Sequence, residues 1–370
     1  MTKTLPLLGV ILLIIGAIMY LEGKKLKPAE PSTLPTASVT ARTVEEKADH
    51  FEPAKEISTP DGFINTNNIT IGEFVGKKVV LLDIWTYSCI NCQRTLPYLN
   101  AWQEKYADKG LVIIGLHTPE FEFEKKYDNV LEAVQKFGIT YPVVLDNDYS
   151  TWTAYGNRYW PRKYLIDIDG YVVYDHIGEG GYEETERKIQ ELLHERTERL
   201  HLKNGIAEDI ATPERAVTVD PTQAVSPETY FGAWRNNSLG NGTPGARGIR
   251  KFELPKEIAP NVVYFDGEWD IQEQFAKNTS SGAKIIFRYN AKNVYMVANH
   301  ENGVTMRVLR DGLPLHGDAG GDVVTKDEVS MVHVNDDRLY HIVGDTEYSE
   351  HTLEFIIEDP GLEAFTFTFG

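Results

Sequence analysis

The chain has 370 residues, of which 42% are hydrophobic, 25% charged and 11% aromatic; this composition is typical of folded globular protein, and the length predicts two soluble domains. Its formal net charge of −18 at pH 7 would repel phosphate backbones, so we expect no nucleic acid partner. Its only two cysteines are three positions apart, which excludes a framework of structural disulfides and, without a second such pair, a four-ligand zinc site.

Residues 1–25 are predicted to form an N-terminal transmembrane helix. Thr4 to Leu21 is a run of eighteen residues without charge, which as a helix would span about 27 Å of bilayer. A cleaved signal peptide is the alternative, but Met19, Tyr20 and Leu21 stand where small residues would mark a cleavage site. We therefore expect a single-pass protein of the cell membrane.

Residues 26–48 are predicted to be a linker because they are rich in Pro, Ser, Thr and Ala. Lys24, Lys25 and Lys27 follow the apolar run, whereas only Lys3 precedes it. This distribution by itself favours a cytoplasmic position for the rest of the chain. A spacer between bilayer and folded part is, however, what an exported redox protein would use, and on that ground we expect the soluble domains to be extracytoplasmic.

Residues 49–203 alternate apolar runs with helical stretches, which predicts an α/β domain around a parallel or mixed sheet. Val79–Trp85 and Leu111–His117 predict buried central strands. Helices are expected at Arg94–Lys109 and Glu122–Phe137, each followed by a glycine that can end a helix. The remaining predicted elements are strands at Tyr141–Leu145, Lys163–Asp167 and Tyr171–Ile177 and a closing helix at Tyr182–Lys203.

Residues 204–225 contain few large apolar side chains and are predicted to link two domains. Between residues 226 and 370, short apolar or alternating runs recur at intervals of about ten residues, with turn sequences between them and no long helical pattern. This pattern predicts an all-β sandwich.

The two cysteines form the motif Cys89-Ile90-Asn91-Cys92 between a predicted strand and a predicted helix. At the first turn of a helix, free backbone N–H groups and the helix dipole favour a thiolate, so Cys89 is the predicted attacking sulfur. Cys92, one turn further along, is placed to resolve the mixed disulfide that forms on Cys89. Such exchange needs no organic cofactor, and the chain carries neither a Rossmann glycine fingerprint nor a phosphate-binding loop.

The sequence around the cysteines resembles the thioredoxin superfamily. That family carries Asp-x-Trp at a fixed distance before Cys-x-x-Cys and a proline five residues after it. The residues at these places are Asp83, Trp85, Cys89, Cys92 and Pro97. The resemblance implies a thioredoxin-like fold and disulfide exchange with protein thiols. It also implies that Pro161 is the family's cis-proline, which faces the cysteines; a plain trans proline is the alternative.

Within that superfamily the chain resembles the TlpA-like, redoxin-type branch, which has an extra helix between the central strands, as residues 122–137 would be. The stretches WTYSCINCQRTLPYL, YWPRKYLIDIDG and FTFTFG resemble the extracytoplasmic part of DipZ-type proteins. This resemblance implies a jelly-roll-like, carbohydrate-binding-module-like domain at 226–370. DipZ-type proteins import electrons through a multi-helix membrane domain. Because one span cannot do this, we expect a separate membrane electron-transfer partner.

Three further residues are candidates for the site. Asp83 lies inside an apolar strand, where burial would raise its pKa, and the resemblance to thioredoxins suggests that it relays a proton for Cys92; a solvent-facing position is the alternative. Trp85 and Trp160 are predicted to flank the cysteines and to offer substrate a hydrophobic docking surface, unless they only pack in the core.

Two other functions stay open. Thr86, three residues before Cys89, fits part of the peroxiredoxin signature and suggests a thiol peroxidase, although Leu82 stands where that signature has a proline. Alternatively, the chain is an envelope carbohydrate-binding module with a minor redox role. The aromatic residues that would form a glycan platform are Tyr230, Trp234, Tyr264, Trp269 and Tyr295.

Overall fold

Two β-sheets, formed by successive parts of the chain, organise the protein. The computed structural model describes residues 43–203, 205–217, 219–220, 222–223 and 225–370. Across this part of the chain, six strands between residues 62 and 177 form one sheet and eleven strands between residues 229 and 369 form another. Contacts group residues 44–370 into a single compact unit.

The first sheet has helices between its strands, as the alternating sequence pattern predicts. Its strands are β1 (Gly62–Ile64), β2 (Val79–Trp85), β3 (Leu111–His117), β4 (Val143–Leu145), β5 (Arg162–Ile166) and β6 (Val172–Ile177). Their order is β1-β4-β3-β2-β5-β6, with β2, β3 and β4 parallel and the others antiparallel. Every residue of β2 is buried, because this strand lies in the interior of the sheet with neighbours on both sides. The thioredoxin-like fold is confirmed.

The helices differ in detail from those predicted. They are α1 (Val44–Ala48), α2 (Ile90–Tyr106), α3 (Tyr127–Lys136), α4 (Ser150–Ala154) and α5 (Tyr182–Arg199). The single helix predicted at 122–137 is divided into a 3-10 helix, Glu122–Lys125, and α3. The division falls at Lys126, whose backbone is extended, with φ −69° and ψ 118°.

Helix α1 corrects the predicted linker, which was expected to reach residue 48. Lys47 in α1 is fully buried, and its Nζ lies 2.7 Å from Asp167, 2.8 Å from Asp169 and 2.5 Å from Glu195. These three carboxylates are close enough together to hold a metal ion, but the lysine ammonium is already among them. Helix α1 is therefore fixed to the α/β fold by a buried charge cluster.

The C-terminal region is β-rich, as predicted. Its strands are β7 (Thr229–Tyr230), β8 (Gly248–Phe252), β9 (Val263–Ile271), β10 (Ala276–Asn278), β11 (Ala283–Asn299), β12 (Val304–Arg310), β13 (Leu313–Pro314), β14 (Val323–Lys326), β15 (Val329–Val334), β16 (Arg338–Ile357) and β17 (Glu363–Phe369). The long strands β11 and β16 pair over most of their length, and β11 contacts β9 with its first half and β17 with its second. The strands surround one apolar core. A jelly-roll-like sandwich remains our interpretation of this arrangement.

The predicted membrane segment, residues 4–21, lies outside the described residues. Within the described part of the chain, no helix is both long enough and apolar enough to cross a bilayer.

Candidate active site

The two cysteines lie at the start of α2, in different environments. Cys89 is the N-cap residue, with φ −78° and ψ 120°, and is half-buried. Its carbonyl oxygen accepts a hydrogen bond from the N–H of Gln93 at 3.0 Å. Cys92 lies in the first turn and is fully buried. Both are free thiols, so this arrangement corresponds to the reduced form of a dithiol pair.

The two thiols differ in reactivity because they differ in burial. Burial raises the pKa of Cys92 well above its usual value, and contact with the Cys89 sulfur raises it further. A thiol in such surroundings stays protonated and inert until a base removes its proton. Cys89, the one that solvent reaches, is therefore the sulfur that can attack, and Cys92 can act only after a proton has left it.

Pro161 lies where a cis-proline would face the cysteines. The Trp160–Pro161 peptide bond is cis, as the family resemblance implies. The Cys89 Sγ lies 3.9 Å from the carbonyl oxygen of Trp160. The Trp160 indole N–H donates to the carbonyl of Thr118 at 2.9 Å, and its ring lies against that of Trp152, with 4.2 Å between centroids. These contacts fix the loop that carries Pro161 beside the attacking sulfur.

Trp85 does not have the surface position that a docking role requires. Its side chain is fully buried and meets His117 edge to face, with 5.2 Å between ring centroids. The structure therefore agrees with the alternative given for Trp85, that it packs in the core. Thr86 is also fully buried, and its hydroxyl lies 3.4 Å from His117 Nε2, so it does not present a free donor to a peroxide.

Asp83 is a buried acid, as expected from its place in β2. Burial raises its pKa to about 6, partly offset by the positive charge of Lys163. The Lys163 Nζ is 4.0 Å from Asp83 Oδ1, and that oxygen accepts no hydrogen bond. A carboxylate with a pKa near 6 and an unsatisfied oxygen is a suitable proton acceptor near neutral pH.

Lys163 was missed by the sequence analysis. It is fully buried, and burial lowers its pKa despite the attraction of Asp83. Its strand, β5, pairs with β2, with Lys163 directly opposite Asp83. The sequence did offer one signal for Lys163, since a lysine stands in a predicted strand. Its pairing with Asp83, however, depends on the register of β5 against β2, which could not be predicted from the sequence.

Glu124 was also missed, and it fixes the backbone next to Cys89. Its buried carboxylate accepts hydrogen bonds from the Ser88 hydroxyl at 2.6 Å and the Ser88 N–H at 3.2 Å. It also accepts the N–H groups of Glu120 and Phe121, at 2.6 and 2.9 Å. Burial raises the pKa of Glu124, and its bonds to Ser88 oppose that rise. One side chain therefore joins the cysteine loop to the segment after β3.

A cleft of about 480 Å³ opens at Cys89 and is formed by both parts of the protein. The thioredoxin-like part contributes Cys89, Glu120 and the Arg158–Trp160 segment. The β-rich part contributes Pro227, Glu228, Tyr230, Arg235, Thr368 and Phe369. We call these β-region residues the second wall. Trp160 lines the cleft as predicted for a docking residue.

The aromatic platform considered for a glycan is not formed. Tyr264, Trp269 and Tyr295 are buried, and the Tyr230 hydroxyl is bonded to Glu120 at 2.8 Å. Only Trp234 of the five is well exposed, at 63%. The other four are core or interface residues, which is the more common position of aromatic residues in β structures.

Two family models match the chain. Residues 51–193 match the model described as Redoxin, and residues 226–370 match the model described as Thioredoxin like C-terminal domain. The chain is 38% identical over 322 residues to Protein DipZ of Mycobacterium tuberculosis, an alignment covering 86% of this chain and 43% of DipZ. It therefore spans less than half the length of that relative.

Two shorter relatives match the first part of the chain. Thiol-disulfide oxidoreductase ResA of Bacillus thuringiensis is 31% identical over 134 residues, which are 34% of this chain and 75% of ResA. Thiol-disulfide oxidoreductase YkuV of Bacillus subtilis is 26% identical over 144 residues, which are 39% of this chain and 96% of YkuV. The chain thus belongs to the thioredoxin superfamily, in its TlpA-like redoxin branch.

Proposed function

We propose that this protein is a thiol-disulfide oxidoreductase that exchanges disulfides with other proteins through Cys89 and Cys92. The observation that carries the proposal is the pairing of a half-buried cysteine at a helix N-cap with a fully buried one behind it. Relatives named thiol-disulfide oxidoreductases support it.

In the reductive direction, the Cys89 thiolate attacks one sulfur of a substrate disulfide. A mixed disulfide forms between Cys89 and the substrate, and the second substrate sulfur leaves as a thiolate. Asp83 then accepts the proton of Cys92, directly or through water, and the Cys92 thiolate attacks Cys89 Sγ. The substrate leaves with two thiols, and the protein keeps the internal disulfide, so two electrons have passed to the substrate.

The first test is to trap the mixed disulfide. A Cys92→Ser variant of the full chain should accumulate covalent adducts with substrate proteins that dithiothreitol releases, because its resolving thiol is gone. Cys89→Ser is the matched control and should accumulate none. If the Cys92→Ser variant forms no adduct and the wild-type protein reduces no disulfide, the proposal is wrong.

The reduction potential of the pair gives the direction of the reaction. Values near or below about −250 mV would indicate a reductant, and values near about −120 mV a disulfide donor. Equilibration of the protein with dithiothreitol or glutathione buffers measures it.

We further propose that the protein is tethered to the cell membrane by residues 4–21, with its soluble part outside the cytoplasm and a membrane protein as electron donor. The support is the uncharged eighteen-residue run followed by a Pro-rich segment. Labelling of Cys89 in intact cells by a membrane-impermeant maleimide tests the orientation. Labelling only after lysis would contradict an external site, and release of the protein by carbonate washing would contradict the tether.

A further inference from the structure

We infer that the β-rich region is part of the substrate site, and that its second wall restricts Cys89 to disulfides carried on extended polypeptide segments. This inference rests on the proposed function and names its substrate class. It starts from the cleft at Cys89, one side of which belongs to the thioredoxin-like part and the other to the β-rich part.

A charged bridge at the cleft joins the two sides. Arg235 Nη1 lies 2.6 Å from Glu120 Oε1, and the Tyr230 hydroxyl donates to the same oxygen at 2.8 Å. The Arg235 guanidinium also stacks over the Tyr230 ring, 3.6 Å from its centroid. Glu120 is largely buried here, and charge-assisted bonds of this kind are stronger than those between neutral groups. The bridge therefore fixes the second wall relative to Cys89.

An aromatic contact supports the same wall. Phe365 of β17 meets Phe121 and Phe123, with centroids 5.0 and 4.9 Å apart, in edge-to-face arrangements. Phe121 and Phe123 flank Glu122, whose N–H donates to the Gln274 side chain at 2.9 Å. Because apolar burial and hydrogen bonds act together at this contact, the β-rich region is packed against the segment that leads to Glu124 and the cysteine loop.

A third contact lies at Tyr87, two residues before Cys89. The Tyr87 hydroxyl donates to the carbonyl of Asp337 at 3.1 Å, and Lys126 Nζ lies 2.9 Å from the Asp337 carboxylate. The β-rich region is thus attached close to the cysteine loop as well as across the cleft. A partner disulfide therefore has to reach Cys89 through a cleft that is lined on both sides.

The chemistry of the cleft fits a polypeptide. Its volume, about 480 Å³, is within the range of roughly 300–1,000 Å³ that suits a small ligand or a few residues of chain. Exposed Tyr159 offers an apolar surface, Arg158 brings a positive charge, and Glu228 brings a carboxyl group that becomes charged above its pKa, which desolvation in the cleft raises to about 7. Mixed apolar and polar lining of this kind suits an extended peptide, which carries backbone donors and acceptors as well as side chains.

The experiment compares one leaving group on three carriers. The reduced full-length protein is mixed with thionitrobenzoate disulfides of a short linear peptide and of a surface cysteine on a stably folded protein, and with the free reagent, dithiobis-nitrobenzoate. Release of thionitrobenzoate gives each second-order rate constant. The wild-type protein should react at least tenfold faster with the peptide than with the folded carrier.

Variants connect this preference to the second wall. Arg235→Ala should reduce the peptide-to-folded ratio at least threefold, because it removes the bridge to Glu120. Arg250→Ala is the matched control, on exposed β8 and outside the cleft, and should keep the wild-type ratio. If Arg235→Ala does not fold, a second variant, Glu228→Lys, is tested instead; Glu228 is exposed and lines the cleft. The wild-type protein should favour peptides with basic residues beside the cysteine, and this variant should favour acidic ones.

The outcomes separate the two proposals. Equal rates for peptide and folded carrier, or the same ratio in Arg235→Ala as in wild type, would overturn the inference while leaving the exchange activity intact. Reaction with the free reagent alone would assign the cleft to small disulfides, which also overturns it. No release from any carrier would instead mean that the proposed function itself has failed.

Discussion

Two fully buried lysines occupy opposite kinds of environment in the thioredoxin-like part. Lys47 is held by three carboxylates within 2.8 Å, whereas the ion pair given for Lys163 is a long one, with Asp83 at 4.0 Å, and Glu179 attracts it from further away. Burial alone would lower the pKa of Lys47, but its bonds to Asp167, Asp169 and Glu195 raise it above the usual value. Burial lowers the pKa of Lys163, and nothing reverses the change.

The two environments imply two roles: Lys47 stabilises the fold, whereas Lys163 can take part in proton transfer. A buried charge whose partners satisfy it stabilises one arrangement of the chain, and removing it leaves those partners unpaired. A buried charge that is poorly satisfied has a displaced pKa and can change protonation near neutral pH, which is typical of active sites. Lys47 lies in α1 among its three carboxylates, and Lys163 lies opposite Asp83 in the sheet that carries the cysteine loop, so the expected effects of mutation differ in kind.

The largest expected effect is on stability, from Lys47→Met. This change should lower the free energy of unfolding by about 3–5 kcal/mol at pH 7, because buried Asp167 loses its cation and Asp169 and Glu195 are left with Arg199 alone. Urea denaturation of both proteins measures it. Lys55→Met, which removes an exposed ion pair to Glu52 at 3.8 Å, is the control and should cost less than about 1 kcal/mol. A loss below that figure for Lys47→Met would remove the structural role.

Asp83→Asn should change both stability and activity with pH. Because the folded pKa of Asp83 is raised to about 6, its stabilising contribution is complete below the unfolded pKa and is lost as pH rises through about 6. A shift of roughly two pKa units corresponds to about 3 kcal/mol. Between pH 4 and 7 the wild-type protein should therefore lose about that much stability relative to Asp83→Asn, as measured by urea denaturation at each pH.

The same variant tests the proton relay. Wild-type disulfide reduction should accelerate as pH rises through about 6, when Asp83 becomes able to accept the Cys92 proton. Asp83→Asn should lose this step and resolve mixed disulfides at least tenfold more slowly. Stopped-flow release of the substrate thiol measures the rate. An unchanged pH profile would show that Cys92 loses its proton to another group.

Lys163→Met should have a smaller effect on stability than either change above, about 1 kcal/mol or less, because the ion pair is long and Asp83, whose pKa is already raised, can take up a proton when the cation is lost. It should nevertheless move the pH midpoint of activity above 6, since the cation that opposes the rise in the pKa of Asp83 is gone. The pH profile of disulfide reduction, measured beside that of Asp83→Asn, is the check. A large loss of stability without any shift in the profile would place Lys163 in the same class as Lys47.

The smallest effect is expected at the surface. Arg187 pairs with Glu183 at 2.7 Å on exposed α5, and Arg187→Ala should cost about 0.5 kcal/mol or less, an amount that high salt should reduce further. A greater cost would mean that the contribution of an ion pair to the stability of this protein does not depend on its burial. The comparison of Lys47 with Lys163 assumes that dependence.

The sequence predicted those features that depend on local pattern. Strands β2 and β3 have the bounds predicted for them because each is a short, nearly continuous apolar run. The position of Cys89 at the first turn of a helix and the burial of Asp83 also agree, although α2 begins at Ile90 and not at the predicted Arg94. The cis bond at Pro161 agrees with what the family resemblance implies.

Features that depend on tertiary contact were not predicted. Lys47 was included in a linker that was predicted from its Pro, Ser, Thr and Ala content, and its three partners are more than a hundred residues away along the chain. Predicting the pairing of Lys163 with Asp83 would have required the register of β2 with β5. The second wall needed the packing of two separately predicted regions. For Trp85 the sequence left docking and core packing both open, because residue type alone does not distinguish a core indole from an exposed one.

The contact of Phe365 with Phe121 and Phe123 decides how the protein can be divided. A truncation after residue 203 would bring two aromatic rings that are now almost fully buried into water, at a cost of roughly 1.5–3 kcal/mol for each fully exposed side chain. It would also leave Glu124, which holds Ser88, in a segment that has lost its packing. Anyone who transplants this redox site into another protein should therefore carry β17 with it, because Phe365 covers the rings beside the segment that holds the cysteine loop.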